Sequence, residues 1–202
     1  MKGEGSGIGG RGLLIASIVF IFIVGAIFFA ISGGLFGGAD RRSADTQTTV
    51  TDIFVGRSVR MTVNGPIVAN ENRQSYQIDV GLDSRTLQGF QGYDLTVAAS
   101  SSLNNNRQAY TQFVYALSRA DYGKERRLSD ADADDRGVCA TGKVYTFEIL
   151  DNGRSVSQLW AASCSNTKGT LAATSTQVKS IKSLFDLQIP NLRTALGPID
   201  LN

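Results

Sequence analysis

Between Leu13 and Leu35 the chain reads LLIASIVFIFIVGAIFFAISGGL, twenty-three residues without one charged side chain. As a helix rising ~1.5 Å per residue, such a run covers ~35 Å, enough to cross a hydrocarbon core of ~30 Å with some tilt. The pattern predicts one transmembrane helix over residues 13–36, behind a short flexible glycine-rich tail (1–12) and ahead of a polar linker (37–51). A cleavable signal has an apolar region of ~7 to 15 residues and a small-residue cleavage site. This run is longer and lacks a clear A-x-A site, so the expectation is a retained signal anchor. Ala26, Ala30, Gly34 and Gly38 recur every four residues and line one ridge of that helix. Small residues on a ridge allow close helix–helix approach. The expected partners are therefore the lipid bilayer and, through the ridge, a membrane protein or a second copy.

After residue 51 the pattern changes, and residues 52–202 read as one extracytoplasmic α+β domain. Val59, Met61, Val63 and Ile67 alternate with Arg60, Thr62 and Asn64. After the turn-forming Asn70–Arg73, Tyr76, Ile78, Val80 and Leu82 alternate with Gln77, Asp79 and Gly81. Period-two alternation marks half-buried strands, so 57–82 is predicted as an antiparallel hairpin with Ile67 near Tyr76 and Val63 near Val80. Tyr93, Leu95 and Val97 suggest one further short strand before the Ser/Asn-rich stretch SSSLNNN. An asparagine there can cap a helix over about 105–119, whose Tyr110, Phe113, Val114 and Leu117 fall at i, i+3, i+4 and i+7. Asp121–Gly137 is densely charged and reads as a solvated loop.

The second half repeats the plan of the first, hairpin then helix. Lys143–Leu150 and Arg154–Cys164 flank a turn at Asp151-Asn152-Gly153, giving a second hairpin over about 139–164. Thr174, Ser175 or Thr176 then caps a second helix over about 175–187, with Val178, Ile181, Leu184 and Phe185 on one face. The predicted fold is two hairpins in one antiparallel sheet with two packed helices. A two-residue Asp151-Asn152 turn would set Phe147 opposite Val156 and Cys139 opposite Cys164. That register places Tyr145, Phe147, Ile149, Val156 and Trp160 on one face, with Trp160 in the core.

Composition narrows the function classes. Twenty Lys and Arg against eighteen Asp and Glu leave +2, which is no footprint for nucleic acid. The sequence contains no histidine, so the commonest general base and metal ligand is missing. Cys139 and Cys164 are the only cysteines, and an even count in an exported domain predicts one structural disulfide. A disulfide also decides orientation, because Lys2 and Arg11 on one side and Arg41 and Arg42 on the other give the positive-inside rule little to choose between. The N terminus is expected in the cytoplasm and the domain outside the cell membrane.

Candidate chemistry is sparse. Asp130, Asp132 and Asp134 resemble the opening of a calcium loop, but Asp135 stands where the tight-turn glycine belongs and Thr141 where the bidentate glutamate belongs. A hydrolase would need Ser-Lys chemistry, with Ser163 and Lys168 or Lys143 as candidates, or a carboxylate pair that no spacing singles out. No phosphate loop, dinucleotide fingerprint or zinc spacing is present, and no cofactor is expected. The reading these features favour is a membrane-anchored binding or structural module, such as a subunit of a cell-envelope assembly. The competing class is an envelope hydrolase. A retained anchor predicts a mature protein whose mass still includes residues 13–35 and which leaves membranes only with detergent. A mature mass lacking residues 1 to about 39 would mean signal cleavage instead.

Overall fold

The computed structural model describes residues 50–165 and 167–201. The apolar run, its ridge of Ala26, Ala30, Gly34 and Gly38, and most of the linker lie outside the described residues. Among the described residues no helix is long and apolar enough to cross a membrane.

The domain is α+β, built on one six-stranded antiparallel sheet with four helices. The strands are β1 (Arg57–Asn64), β2 (Gln74–Gly81), β3 (Ser84–Gln91), β4 (Thr96–Asn104), β5 (Val144–Asp151) and β6 (Arg154–Ala162), in the order β4-β3-β2-β1-β5-β6. The helices are α1 (Arg107–Arg119), α2 (Asp130–Ala133), α3 (Ser175–Asp186) and α4 (Leu192–Leu196). Both long helices start as the sequence indicates. Asn106 accepts from the Ala109 amide ahead of α1, and Thr174 with Gln177 forms a reciprocal capping box ahead of α3.

The alternating residues divide the sheet into two faces. Val59, Met61 and Val63 of β1, Tyr76, Ile78 and Val80 of β2, and Phe147 and Ile149 of β5 share one buried face. Helices α1 and α3 cover it. Phe113 meets Phe185 edge-on at 5.2 Å between ring centres, and Tyr122 packs against Phe147 at 5.8 Å. The Tyr122 hydroxyl, inside this core, donates to the Glu148 carbonyl at 2.7 Å. Over β3 and β4 the cover comes instead from α4 and the C-terminal segment, whose Leu196, Ile199 and Leu201 are buried.

Four features differ from the sequence expectation. Residues 84–104 form two long strands, so the first half is a four-stranded meander and the two halves do not share a layout. The Ser-rich stretch is β4 itself, where the small polar side chains left no apolar alternation to read. In the first hairpin, Val63 pairs with Tyr76 and Val59 with Val80, because β1 stops at Asn64 ahead of Gly65-Pro66 and the connection runs to Arg73. Ile67 therefore lies in the connection, 51% exposed, rather than in the core.

The fourth difference is Trp160. The second hairpin turns at Asn152-Gly153, both with positive φ (49° and 79°), which fits a two-residue primed turn. A bulge between Ile149 and Leu150 then adds a residue, so Phe147 faces Leu159 rather than Val156. Beyond the bulge the displacement is three residues, and an odd shift moves the side chains of Ser157–Ala162 to the other face. Trp160 pairs with Thr146 on the face away from the helices, and Val156 is 54% exposed.

Tyr110 is fully buried, and its hydroxyl has no hydrogen-bond partner among the described residues. Burial pushes its pKa up to about 12 from 10.0, against the lowering pull of nearby Arg57. Burial also raises Tyr122. The folded state thus holds these protons more tightly than the unfolded chain, and stability falls as pH rises above about 10. Tyr110→Phe is expected to keep neutral-pH stability within about 1 kcal/mol and to make the decline between pH 10 and 12 shallower in urea titrations. An unchanged decline would show that Tyr110 does not contribute.

Candidate functional site

One end of the sheet gathers the connections 65–73, 92–95, 139–143 and 163–168. The other end carries the start of β1, where the chain arrives from Val50, together with the Asn152-Gly153 turn. At ~3.3 Å per residue the eight residues of β1 separate the two ends by about 26 Å.

The first end is held by polar contacts between its loops. The Arg73 guanidinium donates to the Gly65 carbonyl at 2.6 Å, the Gln74 carbonyl at 3.1 Å and the Asn64 side chain at 3.1 Å. Its charged carbon also lies 5.3 Å from the Tyr93 ring centre. Tyr93 donates its hydroxyl to the Val68 carbonyl at 3.0 Å and its amide to Asn70 Oδ1 at 2.8 Å. The Ile67 amide donates to the Ala140 carbonyl at 2.8 Å, which ties this loop to the disulfide loop.

On that scaffold sit side chains that the fold does not bury. Ile67 (51% exposed), Val68 (37%), Tyr93 (52%), Leu95 (54%) and Val97 (53%) make up five of the nine exposed large hydrophobic residues in the described domain, so the apolar exposure is concentrated here. Leu95 also sits at φ 55°, in the left-handed region where a branched side chain costs on the order of 1 kcal/mol. An exposed leucine gains nothing from core packing to offset that cost.

The disulfide closes the same end. Cys139 and Cys164 are bonded, with Cα atoms 5.6 Å apart. They lie just beyond the ends of β5 and β6 rather than directly across the ladder, because the register moved by three. Between them the Ser163 amide donates to the Lys143 carbonyl at 2.9 Å, and the Lys143 amide donates to Ser163 Oγ at 2.8 Å.

The remaining sequence candidates are dispersed. Ser163 and Lys168 line one cleft of about 480 Å³ beside the N-terminus of α3. Ser163 Oγ is nevertheless occupied by the Lys143 amide and lies 3.6 Å from Cys139 Sγ. Lys143 Nζ donates to the Leu201 carbonyl at 2.8 Å, and burial lowers its pKa. Among the described residues neither lysine's ammonium group is hydrogen-bonded to a serine, which Ser-Lys catalysis requires. In the acidic loop, Ser129 donates to Asp132 at 2.7 Å, and Arg136 holds the Asp134 carboxyl down to about 2 through side-chain and backbone hydrogen bonds. Asp130, Asp132 and Asp134 do not converge, and no set of three potential ligands that could hold a metal occurs among the described residues.

The charged loop has a structural task that its composition concealed. Trp160 Nε1 donates to the Ala133 carbonyl at 2.7 Å, and Leu128 and Val138 lie around the same ring, so the loop covers Trp160 on the open side of the sheet. Next to it, Arg60 meets Asp79 at 2.7 Å and Glu148 at 3.8 Å. The exposed apolar group was missed because its members read as strand or core residues. The one available signal was Tyr93 and Leu95 beside Gly92 and Asp94, residues that favour turns.

The chain matches no family model, no curated protein and no solved structure in comparisons with each.

The disulfide closes a loop between positions 25 residues apart, for which chain entropy gives about 3.5 kcal/mol. Denatured, unreduced protein should yield no thiol to labelling reagent and two after reduction. Cys139→Ser with Cys164→Ser should lower the urea midpoint by an amount equivalent to about 2–4 kcal/mol. Two reactive thiols before reduction would remove the bridge.

Proposed function

We propose that this protein is a membrane-anchored extracytoplasmic binding module, held by the helix over residues 13–36, and that it recognises a protein partner through the end of the sheet carrying Tyr93 and Leu95. The disulfide supports an oxidising compartment for the domain. The observation that carries the reading is Leu95, exposed and held in a left-handed backbone conformation that its side chain disfavours. A residue that costs stability and packs into no core is best accounted for by a contact made outside the domain. Around it, Tyr93, Ile67 and Val68 supply an aromatic and aliphatic cluster with a polar rim of Arg73 and Asn70. Such a composition resembles the centre of protein interfaces. Its distance from the start of β1 leaves the cluster clear of the segment that enters from residue 50.

Two measurements test the proposal together. A photo-crosslinking residue at position 95 of the detergent-extracted full chain should capture a discrete partner, whereas the same probe at Val55, 79% exposed at the other end, should not. Leu95→Gly should raise stability by about 1 kcal/mol, because glycine adopts positive φ freely, while cutting capture by a Tyr93 probe roughly tenfold. Equal capture from positions 55 and 95, or full capture by the Leu95→Gly variant, would sink this reading.

A further inference from the structure

The two edges of the sheet are finished differently. Along β6, the Leu171 amide donates to the Trp160 carbonyl at 3.0 Å, and the Trp160 amide donates to Thr170 Oγ1 at 2.9 Å. A second layer follows, with the Arg126 amide on the Thr170 carbonyl at 2.6 Å and the Ala172 amide on the Lys124 carbonyl at 2.7 Å. Gly169 lies so close to the Trp160 carbonyl that any Cβ there would collide with it. Around Trp160 that edge is covered by the chain itself.

Strand β4 is the other edge, and among the described residues its only neighbour in the sheet is β3. Native proteins usually protect such an edge with lysine, proline or an inward-pointing charge. Thr96–Asn104 contains none of these. A bulge sits near its start, where Gly89 pairs with Ala99 and Phe90 with Val97, but Ala99–Asn104 runs on in regular register. A free edge of backbone amides and carbonyls selects an extended backbone as its occupant.

We propose that the occupant is β4 of a second copy of this chain, antiparallel to the first about a two-fold axis at Ser101. An antiparallel two-fold pairing keeps equivalent faces together, so residues of the same face must meet. Centred on Ser101, Ala99 faces Leu103 of the second copy on the helix-covered side, and Ser100 faces Ser102 on the open side. Apolar meets apolar and hydroxyl meets hydroxyl, the pairings that stabilise neighbouring strands. The flanking charges agree. Asp94 precedes the strand and Arg107 follows it, so antiparallel copies bring opposite charges to each end, whereas parallel copies would bring like charges together.

A pairing of five residues from each copy, Ala99–Leu103, buries less than the ~1,600 Å² of a standard interface, so it depends on high local concentration. Two copies anchored in one membrane meet that condition, and this concentration step alone rests on the anchor proposed above. What the Tyr93 and Leu95 cluster binds does not enter the pairing.

Ser101→Cys in the full chain, oxidised mildly in intact cells, tests the pairing, because residue 101 meets its own copy across the axis. The expected product is a disulfide-linked dimer, absent for Ser155→Cys on β6. Adding Ser102→Lys to Ser101→Cys should lower the dimer yield at least roughly fivefold through edge lysines, with the unfolding midpoint of the exposed-site variant unchanged. No dimer from Ser101→Cys, an equal yield from Ser155→Cys, a yield indifferent to Ser102→Lys, or linkage of residue 101 to a different protein would each overturn self-pairing.

Discussion

The pairing of β1 with β5 holds the domain together. Every other strand contact in the sheet joins neighbours in sequence: β1 to β2, β2 to β3, β3 to β4 and β5 to β6. Each of those forms by closing a short loop. Only the ladder of Arg57–Asn64 against Val144–Asp151 joins the strands of the meander to the late hairpin, and on its helix-covered face Val59 meets Ile149, Met61 meets Phe147 and Val63 meets Tyr145. A two-stranded hairpin is marginal in water by itself, so β5 and β6 depend on this seam for their stability. Tyr122 ties it from above, with its ring on Phe147 and its hydroxyl on the Glu148 carbonyl. Because the seam joins segments far apart in sequence, its loop-closure cost must be met by burial. The fully buried Val59, Met61, Val63, Phe147 and Ile149 supply it.

From that seam the distribution of exposed groups follows. With β1 central, one face must be covered by whatever helices the chain offers, and α1 and α3 lie over β1, β2 and β5. Strands β3 and β4 are left to the short α4 and the C-terminal segment. The open face carries Arg60 between Asp79 and Glu148, and further out Trp160 beneath the charged loop. The loop between α1 and β5 thus serves the domain in two places, backing the 170–172 segment that meets β6 with Lys124–Arg126 and covering Trp160 with residues from 128–138. Its carboxylates pair locally, Asp132 with Ser129 and Asp134 with Arg136, and among the described residues they gather no set of three potential metal ligands.

The disulfide and the apolar cluster share one end of the sheet, and the same interactions hold both. Ile67 bonds Ala140 next to Cys139, and Tyr93 bonds Val68 next to Ile67. A covalent clamp under a loop surface lowers the conformational entropy left to lose on binding. No serine–lysine or carboxylate constellation is assembled at that end among the described residues.

Much of this was written in the sequence. Alternation located β1 and β2; the Asp151-Asn152-Gly153 turn located β5 and β6; spacing at 3.6 residues located α1 and α3; capping residues fixed their starts; and an even cysteine count gave the disulfide. These signals are local, since each depends on residues within one element and on whether they fall on its apolar side. The sequence also states the apolar run 13–35 and the four-residue recurrence of Ala26, Ala30, Gly34 and Gly38. Tertiary structure decided the rest. A serine-rich strand such as β4 has no apolar alternation, so only pairing with β3 makes it a strand. Whether Trp160 faces the helices or the open side turns on a one-residue bulge, and a bulge is set by how β5 and β6 fit their neighbours. The exposed group of Ile67, Tyr93 and Leu95 assembles from two separate connections, 65–73 and 92–95, and proximity of that kind exists only once β1, β2 and β3 have paired.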